Sequence, residues 1–254
     1  MKNALLIAIP IFLFSCSEKQ EETKQEPNVQ TVEESAFDPS KSDAKAVALA
    51  DKVIEAHGGE ETWNDKRYIS WNFLGARDLV WDKYTGLVRI DFPKADTKFI
   101  VNIKEDTGRV MVKNKLITDP DSLATMVDRG KQIWVNDSYW LVFPFKLKDP
   151  GVQLQYEGSD TTLAGNQAEV ISLQFDSVGY TPQNKYKAYI NPETYMIMQW
   201  EYFQNASDSA ATFSNLWSDY NNYNGIKLAA GRGARELGNI TVSDTVEDDV
   251  FSEF

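Results

Sequence analysis

Cysteine and histidine are almost absent from this sequence. Each occurs once in 254 residues, as Cys16 and His57. Zinc sites that use two or three histidines are therefore excluded, and a histidine-based catalytic triad would depend on His57 alone. His57 ends a predicted helix just before Gly58 and Gly59, where an imidazole commonly satisfies the last helix carbonyls. We therefore expect His57 to have a structural role.

The short motifs that bring in cofactors or nucleophiles are also missing. The sequence has no G-x-S-x-G elbow, no Walker A loop, no H-E-x-x-H pair and no C-x-x-C pair. Gly231 and Gly233 lack the later glycine of a dinucleotide site. The sequence therefore predicts no cofactor, no metal and no enzymatic activity. A glycosidase-like pair of carboxylates stays open, because carboxylates are common throughout this acidic chain.

Basic residues are outnumbered in this chain. It has 26 lysines and arginines against 38 aspartates and glutamates, which gives a net charge of -12 at pH 7. Such a charge opposes binding to nucleic acid, so we expect no nucleic-acid partner. It also opposes attraction to anionic lipid head groups, so any attachment to a membrane needs another cause.

One apolar run stands near the start of the chain, and it is short. It covers the eleven residues 4–14 and follows Lys2. A helix of that length reaches about 16 Å, whereas the hydrocarbon core of a membrane is about 30 Å thick. Pro10 interrupts even this helix. The layout is typical of a cleavable secretory signal peptide, which we assign to residues 1–15.

The residues at the end of this run are Leu13, Phe14, Ser15 and Cys16. They resemble the lipobox of bacterial lipoproteins, in which the cysteine thiol receives diacylglycerol and becomes the acylated N-terminus. The resemblance implies lipid attachment at Cys16 and a membrane partner reached through that anchor. Disulfides are then excluded, because the single thiol is consumed. The alternative is an ordinary signal peptide followed by a chance cysteine.

Residues 16–42 are polar and acidic, with two prolines and few apolar side chains. Such a stretch cannot bury enough apolar surface to fold, so we predict a lipidated disordered tether followed by a folded domain at 43–254. Glu18, Glu21 and Glu22 resemble a signal for export to the cell surface in some Gram-negative groups, although they also suit a merely solvated tether. The predicted location is the outer membrane, with the domain on the periplasmic face or at the cell surface.

The folded domain opens with helices and continues with strands. Apolar residues recur at helical spacing from Ala46 to Ile54, with Ser42 as a candidate cap and Gly58 as a candidate end. A second short helix carries Trp63. From Tyr68 onward the period changes to two, which is typical of half-buried antiparallel strands joined by short turns.

A longer helical stripe interrupts the strands at residues 121–143, and a second strand series follows to about residue 246. A long meander of twisted strands curls, and its concave face must be filled by helices, by closure or by a ligand. The predicted fold class is mainly β (α+β): a curved antiparallel half-open β-barrel of about 9–11 strands with helices packed in its concave mouth.

Three segments suggest a family. They are AHGGEETW at 56–63, YWLVFPFKLKDPGV at 139–152 and YINPETYMIMQWEY at 189–202. Together they resemble a group of uncharacterised Gram-negative outer-membrane lipoproteins, and these are similar in fold to the lipoprotein-sorting proteins LolA and LolB. The resemblance implies an unclosed barrel around an apolar cavity that holds acyl chains. Its lipid anchor brings the chain closer to the anchored acceptor LolB than to the soluble shuttle LolA.

Aromatic side chains supply the candidate ligand contacts. They lie on a predicted strand, on the inserted helix and just after it: Trp71, Trp134, Trp140, Phe143 and Phe145. These residues line a cavity if one exists, and otherwise they are core packing. Two functions follow from the two cases. Either the protein binds a hydrophobic small molecule, a lipid or the acyl chain of a lipoprotein, or it is a non-catalytic interaction or structural subunit with an envelope protein as partner.

Overall fold

Short antiparallel hairpins build most of this protein, and they form two seven-stranded sheets. The computed structural model describes residues 36–254, all of which belong to one compact unit. The predicted signal peptide 1–15, the lipid-attachment residue Cys16 and the tether as far as residue 35 lie outside the described residues.

The first sheet, called sheet A here, holds the strands that precede the long helix and the last strand of the chain. Its members are β1 (Tyr68–Phe73), β2 (Arg77–Asp82), β3 (Leu87–Phe92), β4 (Thr97–Asn102), β5 (Thr107–Val112), β6 (Lys115–Leu116) and β14 (Gly238–Ser243). The spatial order is β14-β1-β2-β3-β4-β5-β6, so the final strand returns to pair with the first.

The second sheet, sheet B, contains the strands that follow the long helix. They are β7 (Val152–Thr161), β8 (Gln167–Phe175), β9 (Lys185–Ile190), β10 (Ile197–Phe203), β11 (Phe213–Tyr223), β12 (Ile226–Arg232) and β13 (Arg235–Glu236). They pair in sequence order, as a meander. Neither sheet closes on itself.

Period-two patterning explains which face of each strand is buried. In β1, Ile69, Trp71 and Phe73 are buried, whereas the residues between them are partly exposed. A one-residue slip would turn all three apolar side chains toward solvent, so the register is strongly specified.

Three α-helices accompany the sheets: α1 (Ala44–Ala56), α2 (Glu60–Asp65) and α3 (Pro120–Val142). Short 3-10 turns lie at Pro39–Lys41 and Phe143–Lys146. The predicted cap Ser42 is replaced by its neighbour, since the Asp43 carboxylate accepts from the Lys45 amide at 2.8 Å.

The end of α1 requires glycine. Gly58 has φ of 126°, and a Cβ there would lie 2.5 Å from the carbonyl oxygen of Gly225. Ala or any larger residue would therefore meet backbone as well as an unfavourable conformation. The helix ends as predicted, and the close approach brings its C-terminus against the β11–β12 turn.

The folded part begins earlier than the sequence predicts. Ser42 Oγ accepts a hydrogen bond from the Leu154 amide at 2.9 Å, and the Asp43 amide donates to the Leu154 carbonyl at 2.8 Å. Phe37 packs against the apolar cluster of sheet B. Residues 36–42, which composition assigns to the tether, thus contact β7 because a few local groups find partners there.

The sequence-based fold class is confirmed: the protein is mainly β, the sheets are unclosed, and a helix packs against them. The predicted strand count of 9–11 is too low, because the described residues form fourteen strands. Two of these, β6 and β13, are only two residues long, and the end of the predicted strand series, from Ile226 to Ser243, divides into β12, β13 and β14.

Candidate functional site

A groove with a volume of about 590 Å³ lies beside α1 and α2. We call it the apolar groove. Its lining residues are Ala36, Phe37, Pro39, Val47, Ile54, Glu60, Trp63, Asn64, Phe145, Lys148, Asp149 and Pro150. The volume falls within the roughly 300–1,000 Å³ that is usual for ligand pockets.

A pair of stacked aromatic rings forms one wall of the apolar groove. Trp63 of α2 and Phe145 of the second 3-10 turn stack with centroids 4.4 Å apart and an interplanar angle of 6°. Phe145 is 7% exposed, so most of its surface is already packed. Because the ring faces are stacked, a ligand would contact the ring edges. It would also contact the aliphatic side chains of Val47 and Ile54, which line the groove beside them.

Three charged residues line the groove: Glu60, Lys148 and Asp149. Lys148 pairs with Asp51 at 2.7 Å, and Asp149 pairs with Lys146 at 3.1 Å, whereas Glu60 is exposed to solvent. The groove thus combines apolar side chains with a few polar groups, which is the usual composition of a small-molecule site.

Three lysines lie near Trp63: Lys83 over its ring, Lys66 three residues later in the chain, and Lys146 next to its stacking partner Phe145. We call them the lysine cluster. The Lys83 ammonium lies 3.6 Å from the centre of the Trp63 ring and donates to the Trp63 carbonyl. Burial is the main cause that lowers the pKa of Lys83 to about 7, and the charges of Lys66 and then Lys146 lower it further. Asp65 acts in the opposite direction.

Two buried indole donors face each other near this cluster. Trp81 and Trp134 meet edge to face with centroids 5.1 Å apart, and Trp81 lies 6.2 Å from Trp63. The Nε1 atoms of Trp81 and Trp134 are both buried without a hydrogen-bond partner. The Nε1 atoms of Trp71, Trp200 and Trp217 also lack partners, so this feature is shared by most of the tryptophans and does not distinguish this place.

The space between the helices and the sheets is filled by side chains. One cluster joins α3 to sheet A, another joins α1 to sheet B, and Trp140 packs against both. Trp140 lies 5.1 Å from Trp200 and 5.9 Å from Phe73, measured between ring centres. The concave face is therefore occupied largely by the protein's own aromatic residues.

Two arginines attach α3 to the two sheets. Arg77 of β2 binds the Asp137 carboxylate through two hydrogen bonds of 2.6 and 2.5 Å. Arg232 of β12 donates to the Trp140 carbonyl near the end of α3 and lies 3.7 Å over the Trp217 ring. Burial lowers the pKa of Arg232 to about 9. The position of α3 is thus fixed by one arginine from each sheet.

His57 has the structural role expected for it. Its Nδ1 donates to the Val53 carbonyl of α1 at 2.7 Å, and the residue is fully buried. Burial lowers its pKa to about 4, with a smaller contribution from Lys227 that the Val53 hydrogen bond opposes.

This pKa predicts acid sensitivity. Histidine in the unfolded chain titrates near 6.5, so between that pH and 4 the unfolded state binds more protons and stability falls as pH falls. From about pH 7.5 to pH 5.5 we expect a loss of about 1 kcal/mol from His57 alone. Urea unfolding across this range, compared with His57→Gln, measures the effect. An equal slope in the variant would contradict the assignment.

A second and smaller cleft, of about 280 Å³, lies between sheet A and the C-terminal residues. Five of its lining side chains are acidic, and Arg89 is the basic one: Asp78, Asp91, Glu247, Asp249 and Glu253 are the acids. Residues 36–254 contain no group of three or more His, Cys, Asp or Glu side chains placed to hold a metal ion. Nor does that part of the chain contain a helix long and apolar enough to cross a membrane.

Comparison with known proteins gives similarity of fold. No protein-family model matches the sequence, and no curated protein matches it. A DUF1329 family protein from Desulfovibrio piger is 13% identical with a TM-score of 0.46, covering 82% of this chain and 97% of that chain. A Vibrio parahaemolyticus domain, provisionally described as outer membrane lipoprotein-sorting, is 9% identical with a TM-score of 0.36, covering 82% and 96%.

The description of the second neighbour names the lipoprotein-sorting group that the three sequence segments resemble. At such identities and TM-scores the two neighbours carry no argument about ligand, partner or activity, because one fold hosts many functions. The function must be argued from the residues of this chain.

The five aromatic residues predicted as ligand contacts lie in different environments in the structure. Trp71 and Phe143 lie in the buried clusters with 2% and 0% exposure, and Trp134 and Trp140 pack against those clusters. Phe145 is the member that lines the apolar groove. Cys16, the predicted lipid-attachment site, lies outside the described residues.

Sequence reasoning missed the partner of Phe145. Trp63 lies in the segment 56–63, which carries the family resemblance, and this position could have marked it as a candidate site residue. The order of residues in the sequence does not indicate that Trp63 stacks on Phe145. The lysine cluster has no sequence signature at all, because its members follow α2, follow β2 and lie in the second 3-10 turn, at separate places in the chain.

Proposed function

We propose that this protein is an envelope lipoprotein, held to the outer membrane by lipid on Cys16, that binds an acyl chain or similar hydrophobic ligand. The observation that carries the proposal is the apolar groove, with its Trp63–Phe145 wall and a volume of about 590 Å³. A non-catalytic role suits a site whose wall is aromatic and aliphatic and in which Lys148 and Asp149 are held in ion pairs.

The side chains that line the groove indicate the chemical class of the ligand. Val47 and Ile54 of α1 present branched aliphatic groups, and Phe37 and Trp63 present ring surfaces. Such a wall offers contact area and few hydrogen-bonding groups, so burial of methylenes at about 0.8 kcal/mol each is the main source of affinity. An acyl chain matches this surface better than a polar molecule does.

The position of the groove also suits a membrane-anchored protein. Ala36, Phe37 and Pro39 are the first described residues, and they form part of the lining. Nineteen residues lie between Cys16 and Ala36, and the disordered tether predicted from their composition would span about 25 Å. The proposed lipid anchor therefore keeps the groove within reach of lipid at the membrane surface.

Lipid attachment has its own test. Cells fed a palmitate analogue are expected to label the protein, and a Cys16→Ala variant is expected to lose the label. Both proteins are compared by immunoprecipitation at equal amounts. Label that persists in the variant would rule out Cys16 as the attachment site, without bearing on the groove.

The groove is tested by filling it. Asn64 is an exposed α2 residue that lines the groove, and Glu61 is an exposed α2 residue outside the lining. Asn64→Trp should lower the affinity for an acyl-chain probe by about tenfold or more, because a few methylenes lose their contact. Glu61→Trp, the matched control, should leave it unchanged. The measurement is native mass spectrometry of the full chain carrying Cys16→Ser, with dodecan-1-ol as probe.

The filled space between the sheets favours a second candidate, a protein-interaction subunit of an outer-membrane complex. Trp140, Trp200 and their neighbours leave the concave face packed. Absence of bound dodecan-1-ol in the unsubstituted groove would overturn the binding proposal and leave the interaction subunit as the function.

A further inference from the structure

The lysine cluster is a positive site inside an acidic protein. The chain carries a net charge of -12, yet Lys83 lies over the Trp63 ring, and Lys66 and Lys146 are close enough to Lys83 for their charges to lower its pKa. Lys66 is 8% exposed, so its charge is largely removed from water. Ammonium groups brought together in this way repel each other, and folding alone gives no reason to assemble them.

Rather few negative charges offset the cluster. Asp65 lies 3.7 Å from Lys66, but its side chain is 78% exposed. Asp149 accepts from Lys146 at 3.1 Å. Lys83 has no carboxylate partner among the described residues, and its hydrogen bond goes to the Trp63 carbonyl. The cluster therefore has an excess of positive charge at Lys83.

We propose that the lysine cluster binds the anionic head group of the amphiphile whose chain lies in the apolar groove, with Lys83 as the principal contact. The inference rests on the proposed function, and it assigns a chemical class to the ligand: a single-chain amphiphile that ends in a carboxylate or a phosphate.

The groove and the cluster share structural elements. Phe145 stacks on one face of Trp63, and the Lys83 ammonium lies over the ring at 3.6 Å, so Trp63 separates the apolar side from the charged side. Asp149 lines the groove and binds Lys146. A molecule lying along the edge of Trp63 would thus contact both regions, with its chain and its head group on opposite sides of one ring.

The third lysine of the cluster packs on a second indole. The Lys146 ammonium lies 5.4 Å from the centre of the Trp134 ring, and Trp134 in turn packs edge to face on Trp81. Ammonium groups are complementary to oxygen anions, which accept several hydrogen bonds at once. They are not complementary to a cation.

The charge state of Lys83 gives the inference a measurable consequence. Its pKa of about 7 means that the free protein holds a mixture of ammonium and neutral amine near neutral pH. An anion binds the ammonium form, so affinity should fall about tenfold as pH rises from about 6 to about 8. The charged groups that face Lys83 are Lys66, Asp65 and Lys146. His57, the one histidine, titrates near pH 4 and lies buried in α1 contacts.

The experiment is calorimetric titration of the full chain carrying Cys16→Ser with two probes of equal chain length, dodecanoate and dodecan-1-ol. At pH 6, dodecanoate is expected to bind at least about tenfold more tightly than dodecan-1-ol, and the affinity for dodecanoate should fall toward pH 8. Lys83→Gln should remove both the preference and the pH dependence, while dodecan-1-ol still binds. Lys146→Gln should reduce the preference in the same direction. Lys94→Gln, at an exposed turn lysine, is the matched control.

The outcomes separate this inference from the proposed function. Binding of dodecan-1-ol with no preference for dodecanoate would overturn the head-group site and leave the groove intact. Binding of neither probe would overturn the groove and the head-group site together. Binding of inorganic phosphate with the same Lys83 dependence and equal affinity would show a free-anion site and overturn the amphiphile. Retained dodecan-1-ol binding in Lys83→Gln also shows that this variant is folded.

Discussion

Replacing Asp137 with alanine is expected to lower the free energy of unfolding by about 3–5 kcal/mol. Asp137 is fully buried on α3, and its carboxylate accepts two hydrogen bonds from Arg77. Burial raises its pKa, an effect that the Arg77 hydrogen bonds and charge oppose. Removal of the carboxylate would leave the guanidinium without its counter-ion between the Phe73 and Phe92 rings.

Urea unfolding of Asp137→Ala measures this loss, and a double variant controls for it. When Arg77→Met is added, no unpaired charge remains, so the double variant should recover much of the stability lost by the single one. A single variant that loses less than about 1 kcal/mol would contradict a buried ion pair as the attachment of α3 to sheet A.

Replacing Trp200 with alanine is expected to cost about 3–5 kcal/mol in the free energy of unfolding. Trp200 is 1% exposed at the centre of sheet B, with its ring stacked on Tyr186 at 5.1 Å and near Trp140 and Phe143. Truncation would open a cavity among rings that cannot collapse without moving α3 or the sheet.

Trp200→Phe is the matched control for this prediction. The Trp200 Nε1 has no hydrogen-bond partner, so phenylalanine loses volume without losing a hydrogen bond, and we expect a cost well below that of alanine. Thermal and urea unfolding compare the variants. An alanine variant that is as stable as the parent would mean that the interior is not a packed core, and it would return Trp140 and Phe143 to consideration as ligand contacts.

Much of the fold was accessible from periodicity. The helix predicted at 121–143 is Pro120–Val142, and the alternation predicted from Tyr68 onward begins with the strand Tyr68–Phe73. Both segments bury one face, and a buried face leaves its period in the order of apolar residues. Strand lengths and breaks were less accessible, because a two-residue strand such as Lys115–Leu116 has no period.

The candidate site was far less predictable. The position of Phe145 just after the inserted helix predicts it as a ligand contact, and the residue lines the groove. Its stacking partner Trp63 lies 82 residues earlier, and Lys83, which follows β2, lies over the Trp63 ring. Juxtapositions of this kind depend on how α2 and the 3-10 turn dock, and docking is decided by the summed packing of many side chains.

The sequence alone determined the class of fold, the position of the long helix, the structural role of His57 and the expectation of a lipid anchor at Cys16. Each of these depends on local order: alternation, helical spacing, a helix end or a short motif. The tertiary structure decided that the concave face is filled, that β14 pairs with β1, and that aromatic rings and three lysines share the wall around Trp63. These are contacts between residues far apart in the chain, and only burial in a common core brings them together.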